Sequence, residues 1–238
     1  MDKIIKYENI RMFCYSNDHL IKGKIKGIVL DFVGLGGMTM YSNDFGDAIE
    51  YANENIIYCI PYYNPWCWMN KNTIEFVNEI VDCLIKKYNI KNVKIVSTGK
   101  SMGGLCSLVY ARYAKYTPVK VVSNCPVCDL VYHYTERPDL PRTLYSAFFS
   151  EEGSIEDVLS RYSPLHLVNR MPDIEYRIFH CLDDKAVNIN MHSRKFVSHM
   201  LDNKKDVKLI EIPNRGHCDL SIDGLKKYRE EVLKTFNL

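Results

Sequence analysis

The chain has 238 residues, 47% of them hydrophobic, which suffices for one sizeable core and is ordinary for a globular protein. Its 31 Lys and Arg against 29 Asp and Glu are spread along the sequence without a basic block, which speaks against nucleic acid or an anionic membrane as partner. The charged start Met1-Asp2-Lys3-Ile4-Ile5-Lys6-Tyr7-Glu8 lacks the apolar stretch of a signal peptide, and no later run reaches bilayer length, so a soluble, cytoplasmic protein is expected. Nine cysteines, an odd number in a chain of this length, point to reduced thiols and not to a disulfide framework.

Apolar, β-branched runs bounded by Gly, Pro or Asn predict strands at Ile10 to Tyr15, Ile25 to Val33, Ile56 to Ile60, Val93 to Thr98, Val119 to Ser123, Tyr176 to His180 and Val207 to Ile212. Between the third and fourth, Ile74, Val77, Ile80, Val81, Leu84 and Ile85 share one face of a helix over Thr73 to Tyr88, with Thr73 as its cap. This alternation is that of an α/β fold, a mostly parallel sheet with helices on both faces. It breaks once, over 129–173, where Pro138, Pro141, Pro164 and Pro172 favour short helices and turns. That segment is expected to form a small cap over one edge of the sheet, within a single domain spanning 1–238.

The strongest local signal is Gly99-Lys100-Ser101-Met102-Gly103-Gly104, which follows a predicted strand directly and precedes Leu105, Leu108, Val109 and Tyr113 at helical spacing. A serine at such a strand-to-helix turn has a strained backbone, and glycines two before and two after it let strand and helix approach closely. Late in the chain, Pro213-Asn214-Arg215-Gly216-His217-Cys218-Asp219 forms a loop before the last amphipathic stretch, and His180-Cys181-Leu182-Asp183-Asp184-Lys185-Ala186-Val187 follows another predicted strand.

With these residues the sequence resembles the α/β-hydrolase superfamily over nearly its whole length, and in particular the small esterases of its dienelactone hydrolase and prolyl oligopeptidase branch. The resemblance implies Ser101 as nucleophile, His217 as general base and Asp184 as the acid that orients the histidine; a turn in that loop would instead favour Asp183. It further implies an oxyanion hole from the backbone N–H groups of Met102 and Leu35, the latter in Gly34-Leu35-Gly36-Gly37, which departs from the family pattern by Val33 where many members have His. A propeller or other peptide-gating domain is not seen in the sequence, which favours a small-ester hydrolase over a specialised oligopeptidase.

Both tryptophans, Trp66 and Trp68, lie in the aromatic loop after the third strand and are candidates for the substrate pocket, or for packing of that loop onto the core. Lys100 is a candidate for an acidic substrate group or for a solvent-facing lysine. His19, His133, His166, His180, His192 and His199 read as surface or packing residues. Cys125-Pro126-Val127-Cys128 has the spacing of a redox pair or half a zinc site, yet no second closely spaced pair accompanies it. No metal and no cofactor are expected, and a chelator should be without effect.

The function expected is hydrolysis of a carboxylic ester, or small amide, through an acyl-enzyme on Ser101, with a small molecule as substrate. The same residues would serve an acyltransferase, and an inert ligand-binding member of the fold is the third reading. Because His217 must be neutral to accept the serine proton, the rate is expected to rise through one ionisation at about pH 6 to 7.5.

Overall fold

The computed structural model describes residues 4–37 and 40–237. Its strands are β1 (Cys14–Ser16), β2 (Gly27–Phe32), β3 (Ile56–Pro61), β4 (Ile95–Lys100), β5 (Lys120–Asn124), β6 (Glu175–Cys181) and β7 (Val207–Ile212). They form one sheet in the order β1-β3-β2-β4-β5-β6-β7, parallel throughout except that β1 runs antiparallel to β3. The helices are α1 (Gly46–Asn53), α2 (Lys71–Tyr88), α3 (Met102–Tyr113), α4 (Leu130–Glu136), α5 (Leu140–Phe148), α6 (Ile155–Arg161), α7 (Lys195–Asp202) and α8 (Ser221–Leu233).

Side chains alternate across a strand, so a strand covered on both faces is apolar over most of its length. In β2, Ile28, Leu30 and Phe32 enter the core shared with α2 and α3, whereas Val29 enters the core on the opposite face, where Ala48 of α1 and Val232 of α8 pack. A third cluster sets Leu108 of α3 and Phe196 of α7 against Val121 and Ile178. Among the described residues no helix is long and apolar enough to cross a membrane.

The sequence expectation fails at the first strand. Tyr7–Met12 is a 3-10 helix, and only Cys14–Ser16 is strand. Short-range bonds win there: Asn9 N–H donates to Lys6 O (3.1 Å), Lys6 N–H to Asn9 Oδ1 (2.8 Å) and Phe13 N–H to Ile10 O (2.9 Å). The cap of α2 also moves. Asn70, not Thr73, is the N-cap, its Oδ1 accepting from Thr73 N–H (3.0 Å) and Thr73 Oγ1 (2.9 Å).

Residues 129–173 fold as α4, α5, α6 and the 3-10 helix Pro164–Arg170, between β5 and β6. Asp129 starts α4 by accepting Tyr132 N–H at 3.0 Å, and Asn70 Nδ2 donates to Ala147 O at 2.8 Å, tying α2 to the end of α5.

Candidate active site

The chain crosses β2 on the way from β3 to β4, so β2 and β4 are neighbours whose following loops leave in opposite directions. In parallel sheets such a switch point opens a crevice at the strand ends. Ser101 sits there, between the last residue of β4 and the first of α3, with φ 56° and ψ −124°. A positive φ on a non-glycine residue is costly and persists only where surrounding contacts impose it. The contacts are visible: Ser101 N–H donates to Asn124 O (3.0 Å), and a Cβ on Gly103 would stand 1.9 Å from Phe32 O, one on Gly99 2.2 Å from Gly103 O. Only glycine permits the α3 backbone to press against β2 and β4 in this way.

The turn after β2 reaches the same point. A Cβ on Gly34 would lie 3.6 Å from Ser101 Cβ. Gly36 N–H is taken by Pro65 O (3.1 Å) and Gly37 N–H by Gly34 O (2.9 Å), while Leu35 N–H has no partner among the described residues. Met102 N–H, first in α3, likewise has no intrahelical acceptor and lies at the positive end of the helix dipole.

His217 comes from the loop after β7 and Asp184 from the loop after β6. Their hydrogen bond, Nδ1 to Oδ2, is 2.7 Å long, and the carboxylate is wholly enclosed. Asp184 Oδ1 accepts Ala186 N–H (2.8 Å) and Val187 N–H (3.0 Å), and His180 Nε2 stands 3.4 Å from Oδ2. Burial works to raise the Asp184 pKa, yet the bonds from His180, His217 and Val187 outweigh it and hold the carboxyl well below its ordinary range. For His217 burial opposes the charge, but the bond to Asp184, with a smaller contribution from Cys125, raises its pKa to about 9. Asp183 is exposed, and Arg215 O accepts its N–H at 3.0 Å.

Ser101 and His217 line one cavity of about 380 Å³ together with Leu35 and Trp68. Among the described residues Ser101 Oγ makes no hydrogen bond to His217 Nε2. Trp68 is fully buried, its Nε1 donating to Thr143 Oγ1 at 3.1 Å. Trp66 does not line this cavity; the guanidinium of Arg142 lies over its ring, 5.3 Å from the centroid. Lys100 lines the cavity and a larger neighbouring one of about 710 Å³, and forms no ion pair among the described residues.

Two histidines read as packing belong to the site's surroundings. His180 contacts Asp184, as above. His133 of α4 lines the cavity, its Nδ1 2.6 Å from Glu136 Oε2. That oxygen also lies 3.0 Å from Nε2 of His192, whose Nδ1 accepts the N–H groups of Cys128 and Asp129 at 3.1 Å each. His192 thus carries its proton on Nε2 and donates to Glu136. Burial lowers the His133 pKa, while the two histidines, against the effect of burial, hold Glu136 well below the carboxylate range. The i, i+3 spacing of His133 and Glu136 on one helix was the only sequence trace of this network.

No curated protein matches the sequence. The profile of the prolyl oligopeptidase family matches residues 67–236. Among solved structures, the acylaminoacyl peptidase of Pyrococcus horikoshii is similar at 17% identity and a TM-score of 0.66, over 91% of this chain and 37% of that one. A thermophilic esterase of Thermogutta terrifontis is similar at 16% identity and TM-score 0.68, over 93% of this chain and 85% of its own. Esterase B of Lactobacillus rhamnosis gives 12% and 0.68, over 91% and 77%. At such identities the likeness is one of fold, and this chain spans little more than a third of the peptidase. The family match covers well over half of the chain, and together with the α/β-hydrolase fold it places the protein in the prolyl oligopeptidase family of serine hydrolases.

Proposed function

We propose that the protein hydrolyses a carboxylic ester, or a small amide, through an acyl-enzyme on Ser101. The observation that carries this reading is the strained placement of Ser101 in the cavity that the Asp184-bonded His217 also lines. A serine hydroxyl is a weak nucleophile until a neighbouring base takes its proton, and the base works only in the tautomer that leaves its facing nitrogen free. Asp184 accepts from Nδ1, so Nε2 is that nitrogen. Attack on the substrate carbonyl places negative charge on its oxygen, and the free N–H groups of Leu35 and Met102 are the donors for that charge. His217 then returns the proton to the leaving group, and water repeats the sequence to release the acid.

A cavity of about 380 Å³ accepts a small acyl group, and Trp68 supplies an apolar wall for it. Trp66 is left out of that role. The relatives named above include esterases and a peptidase, which supports ester and small amide bonds as the substrate class. All nine cysteines are free thiols, which supports a reducing compartment such as the cytoplasm. The test is labelling by a fluorophosphonate probe of the unmutated protein and of Ser101→Ala, followed by a chain-length series of p-nitrophenyl esters. Label on the unmutated protein alone is the expected result; equal label on both, or none on either, would overturn the assignment.

A further inference from the structure

His217 has two sulfur neighbours that the reaction above does not use. Its Nε2 stands 3.5 Å from Sγ of Cys218, and Sγ of Cys125, just past the end of β5, lies within 4.8 Å of both. We infer that Cys125, Cys218 and His217 form a binding site for a soft divalent cation, zinc above all, and that its occupation switches the enzyme off.

The dimensions fit. Zinc bonds of about 2.3 Å to sulfur and about 2.0 Å to nitrogen, at a tetrahedral angle, set sulfur and nitrogen about 3.5 Å apart. Two thiols and an imidazole, with no carboxylate or carbonyl among the three, select zinc over magnesium or calcium. The surroundings fit as well. Cys125 Sγ accepts the N–H groups of Cys181 and Cys218, 3.4 Å each, and these donors stabilise charge on a bound thiolate. Asp184 on Nδ1 of His217 completes the carboxylate–histidine–metal arrangement that fixes ring orientation in zinc proteins. Three protein ligands leave a fourth position for water.

Binding exchanges protons for metal without oxidation. The cation takes the lone pair of Nε2 and one from each sulfur, the two thiol protons pass to solvent together with the Nε2 proton wherever His217 is charged, and a chelator reverses the step. With Nε2 occupied, His217 has no site for the serine proton. The loss of rate rests on the role of His217 proposed above; the binding site does not.

Cobalt(II) titrated into Ser101→Ala protein reads the site without turnover. A thiolate-to-cobalt charge-transfer band should saturate at one equivalent and vanish in Cys218→Ala and in Cys125→Ser. In the active enzyme, zinc should inhibit and EDTA restore the rate. The inhibitory concentration, judged against each variant's own metal-free rate, should rise in Cys218→Ala by more than roughly 100-fold, the upper effect of losing a mere second-shell partner. Cobalt spectra without sulfur character, such as a site at His133, Glu136 and His192 would give, overturn the site. Zinc that binds without inhibiting, or that raises the rate, overturns the switch. A protein with the cobalt band but no hydrolytic activity would keep the site and sink the hydrolase reading alone.

Discussion

Asp184 reaches His217 with one carboxylate oxygen while the other is held by two backbone N–H groups of its own loop, so the carboxylate cannot turn away from the imidazole. The loop thereby fixes the tautomer of His217 before any substrate arrives. Asp184→Asn keeps the shape but offers an amide that can donate to Nδ1 and impose the wrong tautomer. It should lower kcat by about 10⁴-fold, the scale of the same change in a Ser-His-Asp triad. Asp183→Asn, on the exposed neighbour, should stay within about twofold. Steady-state kinetics on an ester substrate decide between them, and the reverse ranking would move the acid to Asp183.

The pH profile follows from the same bond. As the proposed base, His217 must be neutral, and its raised pKa keeps it protonated further up the scale than an ordinary histidine. In chelator-treated protein kcat/KM should rise with pH, reach half its plateau at about pH 9 and level off only above it, well beyond the range of about pH 6 to 7.5 read from residue type alone. A profile already flat at pH 7.5 would show that the pairing with Asp184 is not maintained in solution. In stability the sign is opposite: a pKa raised in the folded state favours folding below about pH 6.5, and the gain is lost as pH climbs through the folded value.

Acid should loosen the segment between β5 and β6. His133 has a lowered pKa in the folded state, so the unfolded chain binds its proton first and stability falls as pH drops below about 6.5. Glu136, also lowered, adds a further loss as pH falls below its ordinary range of about 4.3 and through its folded value. Glu136→Gln should cost about 2 kcal/mol at neutral pH, the scale of hydrogen bonds to a charged acceptor, and flatten the acid limb of the curve. Urea melts at several pH values measure this, and an unchanged acid limb would count against it.

Close backbone approach makes Gly103→Ala severe. The added methyl would meet Phe32 O, which belongs to the sheet and has no room to yield. A loss above about 4 kcal/mol, with little soluble protein, is expected. Gly46→Ala meets nothing within 4 Å in the first turn of α1 and should stabilise by about 0.4 to 1 kcal/mol. Thermal melts of the two variants give the comparison.

Much of this architecture was legible because local periodicity and core burial agree. Val207 to Ile212 reads from its sequence alone as the strand it is, and the other parallel strands lie within two residues of their expected ends. Ile10 to Tyr15 misled because its apolar residues serve a 3-10 turn closed by polar side chains, a competition that hydrophobic pattern does not register. In the site, Ser101 stood out through glycines whose purpose is local. The grouping of Cys125 with Cys218, and of Glu136 with His192, depends on strand order and loop direction, which no spacing in the chain encodes.

Everything from β4 onward builds one half of the sheet, and β1, β2 and β3 build the other, with the seam running between β2 and β4. Ser101 stands on one side of that seam and the Gly34-Leu35 turn on the other. The stretch that carries the family likeness, residues 67–236, holds Ser101, Asp184 and His217 yet none of the first half. Expressed alone it would present β4 as a bare edge and lack the Leu35 N–H proposed as an oxyanion donor. During refolding, activity would return only when the two halves close on each other, making turnover a direct reporter of the longest-range assembly step in the molecule.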